Sequence, residues 1–477
     1  MMRVLHEKLT KGEISARELT QKYLDAINMQ DSDLHAFLYV NVEGALEQAE
    51  KADAIIKRGE ATLITGIPFA VKDNFCVQGM PTTAGSQILE NYIPPYTATA
   101  VQRLLDQGAV LLGKTNMDEF AMGASTEQSA FGPTKNVHDT TRVPGGSSGG
   151  SATAVAAGES VFALGTDAGG SIRQPAGFSG VVGLKVSYGR VSRYGVIALA
   201  SSVDVIGPIT NTVDDAAIVF EAMAGRDPYD STTSPHPVPK ASSIQTMNLK
   251  GITVGIPQEY FETEGIEEAV KVSVEAAIEA LKNFGARIQS VRLPHTAYAI
   301  PTYYIIIPSE ASSNLARYDG IRFGYSAKAA RDISEVYNMS RSQGFGVEPR
   351  RRVLLGTFVL SEGYHDAYYK QAQKVRTLIR MDFEKAFRKV DALITPTSPN
   401  VAFPLHTKDQ DPLAMYLQDV FTAPANLAGI CALSIPVKNL KGTLPVGMQI
   451  MGPAYAEEKI LRIASTYECV RAKYRKG

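Results

Sequence analysis

Apolar positions along this 477-residue chain follow two different spacings. From Ile14 to about Gly59 they recur every three or four residues, with Leu19, Tyr23, Leu24 and Ile27 forming one stripe. Ser15-Ala16-Arg17-Glu18 stands before that stripe as a capping box, so residues 1–60 are expected to be an amphipathic helical lead-in. At Gly66 the character changes. Short apolar runs next to Pro or Gly, at 67–71, 110–112, 252–257, 286–291, 390–396, 433–437 and 446–451, read as buried strands, and helical periods at 98–107, 212–224 and 267–283 lie between them. This alternation predicts a single large α/β/α domain whose twisted, mixed but mostly parallel sheet is covered by helices on both faces. Residues 61–210 would form its core. Residues 300–385 keep a helical period and carry Tyr303-Tyr304, three consecutive arginines ending at Arg352, and three further tyrosines; they are expected to form a mainly helical insertion over the site. Asp227 to Ser243, rich in Pro, Ser, Thr and Asp, reads as an exposed connection, and a basic-ended helix closes the chain.

Within the core the apolar pattern gives way twice to small residues. The first stretch is Pro144-Gly145-Gly146-Ser147-Ser148-Gly149-Gly150-Ser151, and the second is Gly165-Thr166-Asp167-Ala168-Gly169-Gly170-Ser171-Ile172-Arg173-Gln174-Pro175. Between them Ala152 to Ala157 favours a helix that starts in the first loop. Both loops sit in apolar sequence rather than in polar spacer, which argues for backbone used as a binding surface and against a flexible linker. Consecutive N–H groups at Ala168, Gly169 and Gly170 beside the Ser171 hydroxyl are what an oxyanion hole requires.

Charge and cysteine content narrow the picture. Lys plus Arg is 48 and Asp plus Glu is 49, a net charge of −1, so nothing calls for a polyanion as direct partner. The three cysteines, Cys76, Cys431 and Cys469, are widely spaced and form no CxxC pair, which argues against a disulfide framework and a zinc site and for a reducing, cytoplasmic setting. Neither an export signal nor an apolar run of about 20 residues is present, so no membrane span is expected. Gly108 to Thr115 fits the phosphate-loop pattern GxxxxGK[ST], yet its Ala-Val-Leu-Leu must itself be the strand, leaving no loop to wrap an anion.

A serine nucleophile needs a base. Of seven histidines only His138 lies near the glycine loops, in a polar turn, and no Ser-His-Asp order or GxSxG elbow emerges. Lysine can serve if burial disfavours its ammonium form, and Lys72, at the end of the strand read at 67–71, is the candidate; an ion-paired or snorkelling lysine is the plainer alternative.

Val-Lys-Asp-Asn at 71–74, Gly-Gly-Ser-Ser-Gly-Gly-Ser at 145–151 and Gly-Gly-Ser-Ile-Arg-Gln-Pro-Ala at 169–176 together resemble the amidase signature family, over practically the whole chain. That resemblance implies a Ser-cisSer-Lys triad at Ser171, Ser147 and Lys72, with the chain starting a few residues short of the family's usual N-terminal helix. Asn116 to Gly123, Ser309 to Leu315 with Arg317 to Gly320, and Met339 to Ser342 with Gly344 to Gly346 resemble the glutaminase subunits of tRNA-dependent amidotransferases rather than general amidases. The resemblance then implies glutamine as substrate, with Arg352 for its α-carboxylate, Asp419 for its α-ammonium and Tyr303 beside them. It further implies ammonia delivered to a B subunit, with a C subunit tying the complex together. Misacylated Glu-tRNA(Gln) or Asp-tRNA(Asn) would be met only through the B subunit. No metal or cofactor is expected in this chain, since ATP and Mg²⁺ would belong to the partner. A stand-alone amidase acting on another carboxamide, and an inert scaffold subunit, are the competing readings.

Overall fold

The computed structural model describes residues 1–244, 248–263, 265–407 and 412–474. Eleven strands form one sheet: β1 (Phe37–Val40), β2 (Pro68–Lys72), β3 (Val110–Thr115), β4 (Phe162–Asp167), β5 (Val182–Lys185), β6 (Val205–Thr210), β7 (Thr253–Pro257), β8 (Arg287–Val291), β9 (Ala392–Pro396), β10 (Cys431–Val437) and β11 (Val446–Gly452). Their order is β1-β3-β2-β4-β6-β5-β10-β11-β9-β7-β8, and helices flank them. Parallel pairing occurs in β3-β2-β4 and in β9-β7-β8, where helical crossovers separate the strands; the other six neighbours are antiparallel. The sheet is therefore mixed, with less parallel pairing than the alternation suggested, because a short β10–β11 hairpin and the β5–β6 pair fill its centre without a helical return.

The lead-in departs from the expectation of an all-helical segment. Helices Met2–Thr10, Ala16–Leu34 and Val42–Lys57 enclose the edge strand β1, which pairs with β3. The capping box at the second helix is present: Ser15 Oγ accepts from Glu18 N at 3.1 Å and Ser15 N donates to Glu18 Oε2 at 2.8 Å. His35 then ends the helix in left-handed conformation at φ 53°, turning Ala36 and Phe37 into the core. The connection after Asp227 is also less exposed than its composition suggested. Asp227 and Asp230 are buried because their carboxylates accept from Ser192 Oγ and Arg193 N and fold the segment onto the core.

Two elements decide where chemistry can happen. β2 and β4 are buried throughout and pair in parallel, Val71 opposite Leu164, so their carboxyl ends open side by side. Helix Gly149–Ala156 follows the first glycine loop and packs on both strands; helix Arg173–Ser179 follows the second and packs on β5, β10 and β11. The main apolar core is built on the sheet. A second core joins helices Ala299–Leu315 and Lys370–Phe387 to Phe120 and to residues 421–432. Gly113, Lys114 and Thr115 are ladder residues of β3, and Lys114 is buried with its Nζ 2.7 Å from Asp73 Oδ1, so the apparent phosphate loop is strand.

Candidate active site

Lys72 is the last residue of β2 and is wholly buried. Its Nζ donates to Ser147 Oγ at 2.7 Å and to Thr166 Oγ1 at 3.1 Å. Burial in this apolar surrounding pushes its ammonium down to about 7, against the pull of the Asp118, Asp167 and Asp204 carboxylates. The lysine thus combines a hydrogen-bonded hydroxyl with the neutral form of its amine near neutral pH, which separates it from the snorkelling alternative.

Ser147 arrives through the first glycine loop, and the Gly146–Ser147 peptide is cis. Only glycine fits at 146, since a Cβ there would come within 2.2 Å of Asp118 Oδ2. Ser171 comes from the second loop, and its carbonyl accepts from Ser148 N at 3.2 Å, tying the two loops together. The hydroxyls differ in state. Ser147 is fully buried and bonded to Lys72, whereas Ser171 is 8% exposed and its Oγ makes no hydrogen bond among the described residues. The N–H groups of Ala168, Gly169 and Gly170 likewise have no acceptor among the described residues. Gly170, at φ +147°, turns its N–H in a conformation that side chains disfavour, and a Cβ there would meet Thr422 Oγ1 at 2.3 Å.

Beneath this loop lies a buried clamp. Arg173 holds Asp167 bidentately, Nε to Oδ2 at 3.0 Å and Nη2 to Oδ1 at 2.9 Å, and also reaches the Thr422 carbonyl at 3.0 Å. Desolvation opposes ionisation of Asp167, but the Arg173 guanidinium, with help from Lys185 and Asn426, brings it down to about 2. The ionised Asp167 accepts from Ile172 N and so sets the turn that follows Ser171.

The residues expected to recognise an amino-acid head also converge. Tyr303, on helix Ala299–Leu315, lies against Gly169, where a Cβ would be 2.4 Å from its Oη. Arg352, on helix Val347–Leu360, is 4% exposed; its guanidinium lies 4.9 Å from the Tyr304 ring centre and 5.2 Å from that of Tyr416, and its Nε donates to Glu348 Oε1 at 2.7 Å. Asp419 accepts from Tyr304 Oη at 3.1 Å, and burial lifts its carboxyl to about 7 despite that bond and the nearby Arg352 charge. Tyr304 therefore joins the two residues, which form no ion pair with each other.

Sequence reasoning missed Thr166, Tyr304, Tyr416, Glu348 and Thr422. Tyr304 carries a weak signal, since adjacent helical residues point about 100° apart and so can serve neighbouring walls. The others come from positions whose proximity only the fold creates.

The sequence matches the amidase family model over residues 18–461. It is 54% identical to the A subunit of the glutamyl-tRNA(Gln) amidotransferase of Caldanaerobacter subterraneus subsp. tengcongensis, covering 97% of this chain and 95% of that protein. It is 52% identical to the same protein of a Geobacter species, covering 97% and 96%. Among solved structures, the glutamyl-tRNA(Gln) amidotransferase A subunit from Thermotoga maritima superposes with a TM-score of 0.79 at 43% identity, over 95% of this chain and 91% of that one. The peptide amidase of Stenotrophomonas maltophilia reaches 0.83 at 31% identity, over 98% and 96%.

Proposed function

The chain belongs to the amidase family, and on that premise we propose that it is the glutaminase subunit of a tRNA-dependent amidotransferase. The observation that carries the chemistry is the 2.7 Å hydrogen bond between a fully buried lysine and Ser147, beside an unbonded Ser171 hydroxyl.

In this reading neutral Lys72 accepts the Ser147 proton while Ser147 accepts that of Ser171, whose oxygen attacks the side-chain carbonyl carbon of glutamine. The N–H groups of Ala168, Gly169 and Gly170 receive the oxyanion, each donor lowering the barrier by roughly 3 kcal/mol. When the tetrahedral intermediate collapses, the C–N bond breaks and the lysine proton returns through Ser147 to the nitrogen, so ammonia leaves and a glutamyl ester remains on Ser171. Water, deprotonated by the same relay, attacks that ester and releases glutamate. The amino-acid head lies beside Tyr303, with Arg352, held against the stacked Tyr304 and Tyr416 rings, toward its carboxylate and Asp419 toward its ammonium. Asp419 has to be ionised for this, so recognition strengthens as pH rises through about 7.

The relatives are named as one part of a larger enzyme, and from that name we infer B and C partner subunits, with ATP and Mg²⁺ used by the partner to activate misacylated tRNA, in the cytoplasm. No helix among the described residues is long and apolar enough to cross a membrane. The test is Ser171→Ala. Glutamine hydrolysis should be lost almost completely, and a glutamine-mimicking electrophile that labels the parent chain at Ser171 should leave the variant unmodified. Unchanged hydrolysis in the variant would overturn the assignment. A stand-alone amidase of another carboxamide would hydrolyse glutamine no faster when a B-type partner is added.

A further inference from the structure

The turn at Asp118-Glu119 is tied to both ends of the site. On one side Asp118 N donates to the Ser147 carbonyl at 3.3 Å, and the Asp118 carboxylate, accepting from Ser125 N and Gln128 N, lies against Gly146. On the other side the Glu119 carboxylate, only 2% exposed, accepts from Gly346 N with both oxygens, at 3.1 and 3.0 Å, and from Ser86 Oγ at 2.5 Å. Gly346 is the N-cap of helix Val347–Leu360 and brings no side chain to cap it. The N–H of that N-cap residue is therefore held by a carboxylate 227 residues away in sequence, at the end of the helix where its dipole favours negative charge. A Cβ at Gly346 would come within 2.2 Å of Glu119 Oε2, so glycine is what permits the approach. The Phe120 ring next to it packs 5.6 Å from Phe345 and 5.1 Å from Tyr318, pressing the same contact.

What the helix carries gives the contact its meaning. Glu348 lies in its first turn, held by Tyr416 Oη at 3.2 Å, and Arg352 lies one turn further, over Tyr304 and Tyr416. Sliding or fraying the first turn would carry the guanidinium off the Tyr304 and Tyr416 rings while leaving Lys72, at the end of β2, and Ser171, in the loop after β4, in place.

We propose that Glu119 is a positioning residue for amino-acid recognition: it holds the Arg352 helix against the turn that also holds Ser147, and so fixes the span between the head-binding and bond-breaking ends of the site. This rests on reading Arg352 as the grip for the glutamine carboxylate.

The test compares Glu119→Ala, Glu119→Gln and Arg352→Ala in the full chain in its native assembly, on glutamine and on propionamide, which has no amino-acid head. Glu119→Ala should raise KM for glutamine roughly tenfold with kcat and propionamide turnover little changed, and Glu119→Gln, which keeps an acceptor oxygen without the charge, should raise it about threefold. Equal losses on both amides, or an unchanged KM in both variants, would overturn the proposal. Should Glu119→Ala not fold, an unchanged KM in the near-isosteric Glu119→Gln overturns it alone. If Arg352→Ala raises KM and the Glu119 variants do not, only the positioning role falls. If Arg352→Ala leaves KM unchanged, the glutamine reading falls with it.

Discussion

Replacing Lys72 by methionine should abolish activity and, at neutral pH, make the protein more stable. The ordinary lysine value is 10.5 and the folded one about 7, so between these limits the unfolded chain binds a proton that the folded chain does not. Stability of the parent protein therefore rises with pH across that window and is lowest below about 7. At about 1.4 kcal/mol per pH unit, keeping this lysine buried and neutral at pH 7.5 costs about 4 kcal/mol. Methionine removes the cost, keeps most of the volume, and loses the bonds to Ser147 and Thr166, worth about 1 kcal/mol each. The variant should thus gain about 2 kcal/mol at pH 7.5, break even near pH 9, and be the less stable of the two at pH 10. Urea unfolding of both proteins between pH 6.5 and 10, read by intrinsic tyrosine fluorescence and circular dichroism, measures the difference directly. A stability difference that does not change with pH, or a variant destabilised already at pH 7, would refute the claim that a neutral, desolvated amine occupies this position.

Two further substitutions probe separate parts of the site. Gly170→Ala places a methyl 2.3 Å from Thr422 Oγ1 at a positive φ, so the loop of Ala168 to Gly170 must shift; if its N–H groups receive the oxyanion, glutaminase kcat should fall at least about 100-fold with little change in KM. Tyr304→Phe removes the hydrogen bond that helps keep Asp419 ionised, which raises that carboxyl further; KM for glutamine should increase at pH 7 and recover as pH rises, a profile that steady-state kinetics from pH 6 to 9 would resolve.

Much of this architecture is legible in the sequence, and what is not has identifiable causes. Buried strands such as β9 and β10 announce themselves because nearly every position is apolar, and the helix from Ala16 announces itself through its capping box. β1 is hidden because four residues between two helices are too short for periodicity to register. The central antiparallel pairing is hidden because strand runs carry no mark of direction, only the connections do. Lys72 could be picked out because a charged residue at the end of an apolar run needs a reason to be there. Thr166 and Glu119 could not, since a threonine in a strand and a glutamate in a turn are unremarkable until the residues 94 and 227 positions away are seen beside them.

The parallel ladder between β2 and β4 has a consequence for how such a protein can change. Lys72 and the loop that carries Ser171 hang from the ends of two hydrogen-bonded strands, so their separation is as invariant as sheet register, where a slip of one residue would turn Lys72 to the opposite face. Tyr303, Tyr304 and Arg352 come from helices outside the sheet. Substitutions in those helices leave the β2–β4 register untouched, which makes residues 299–360 the place to begin redirecting the chain toward other amides.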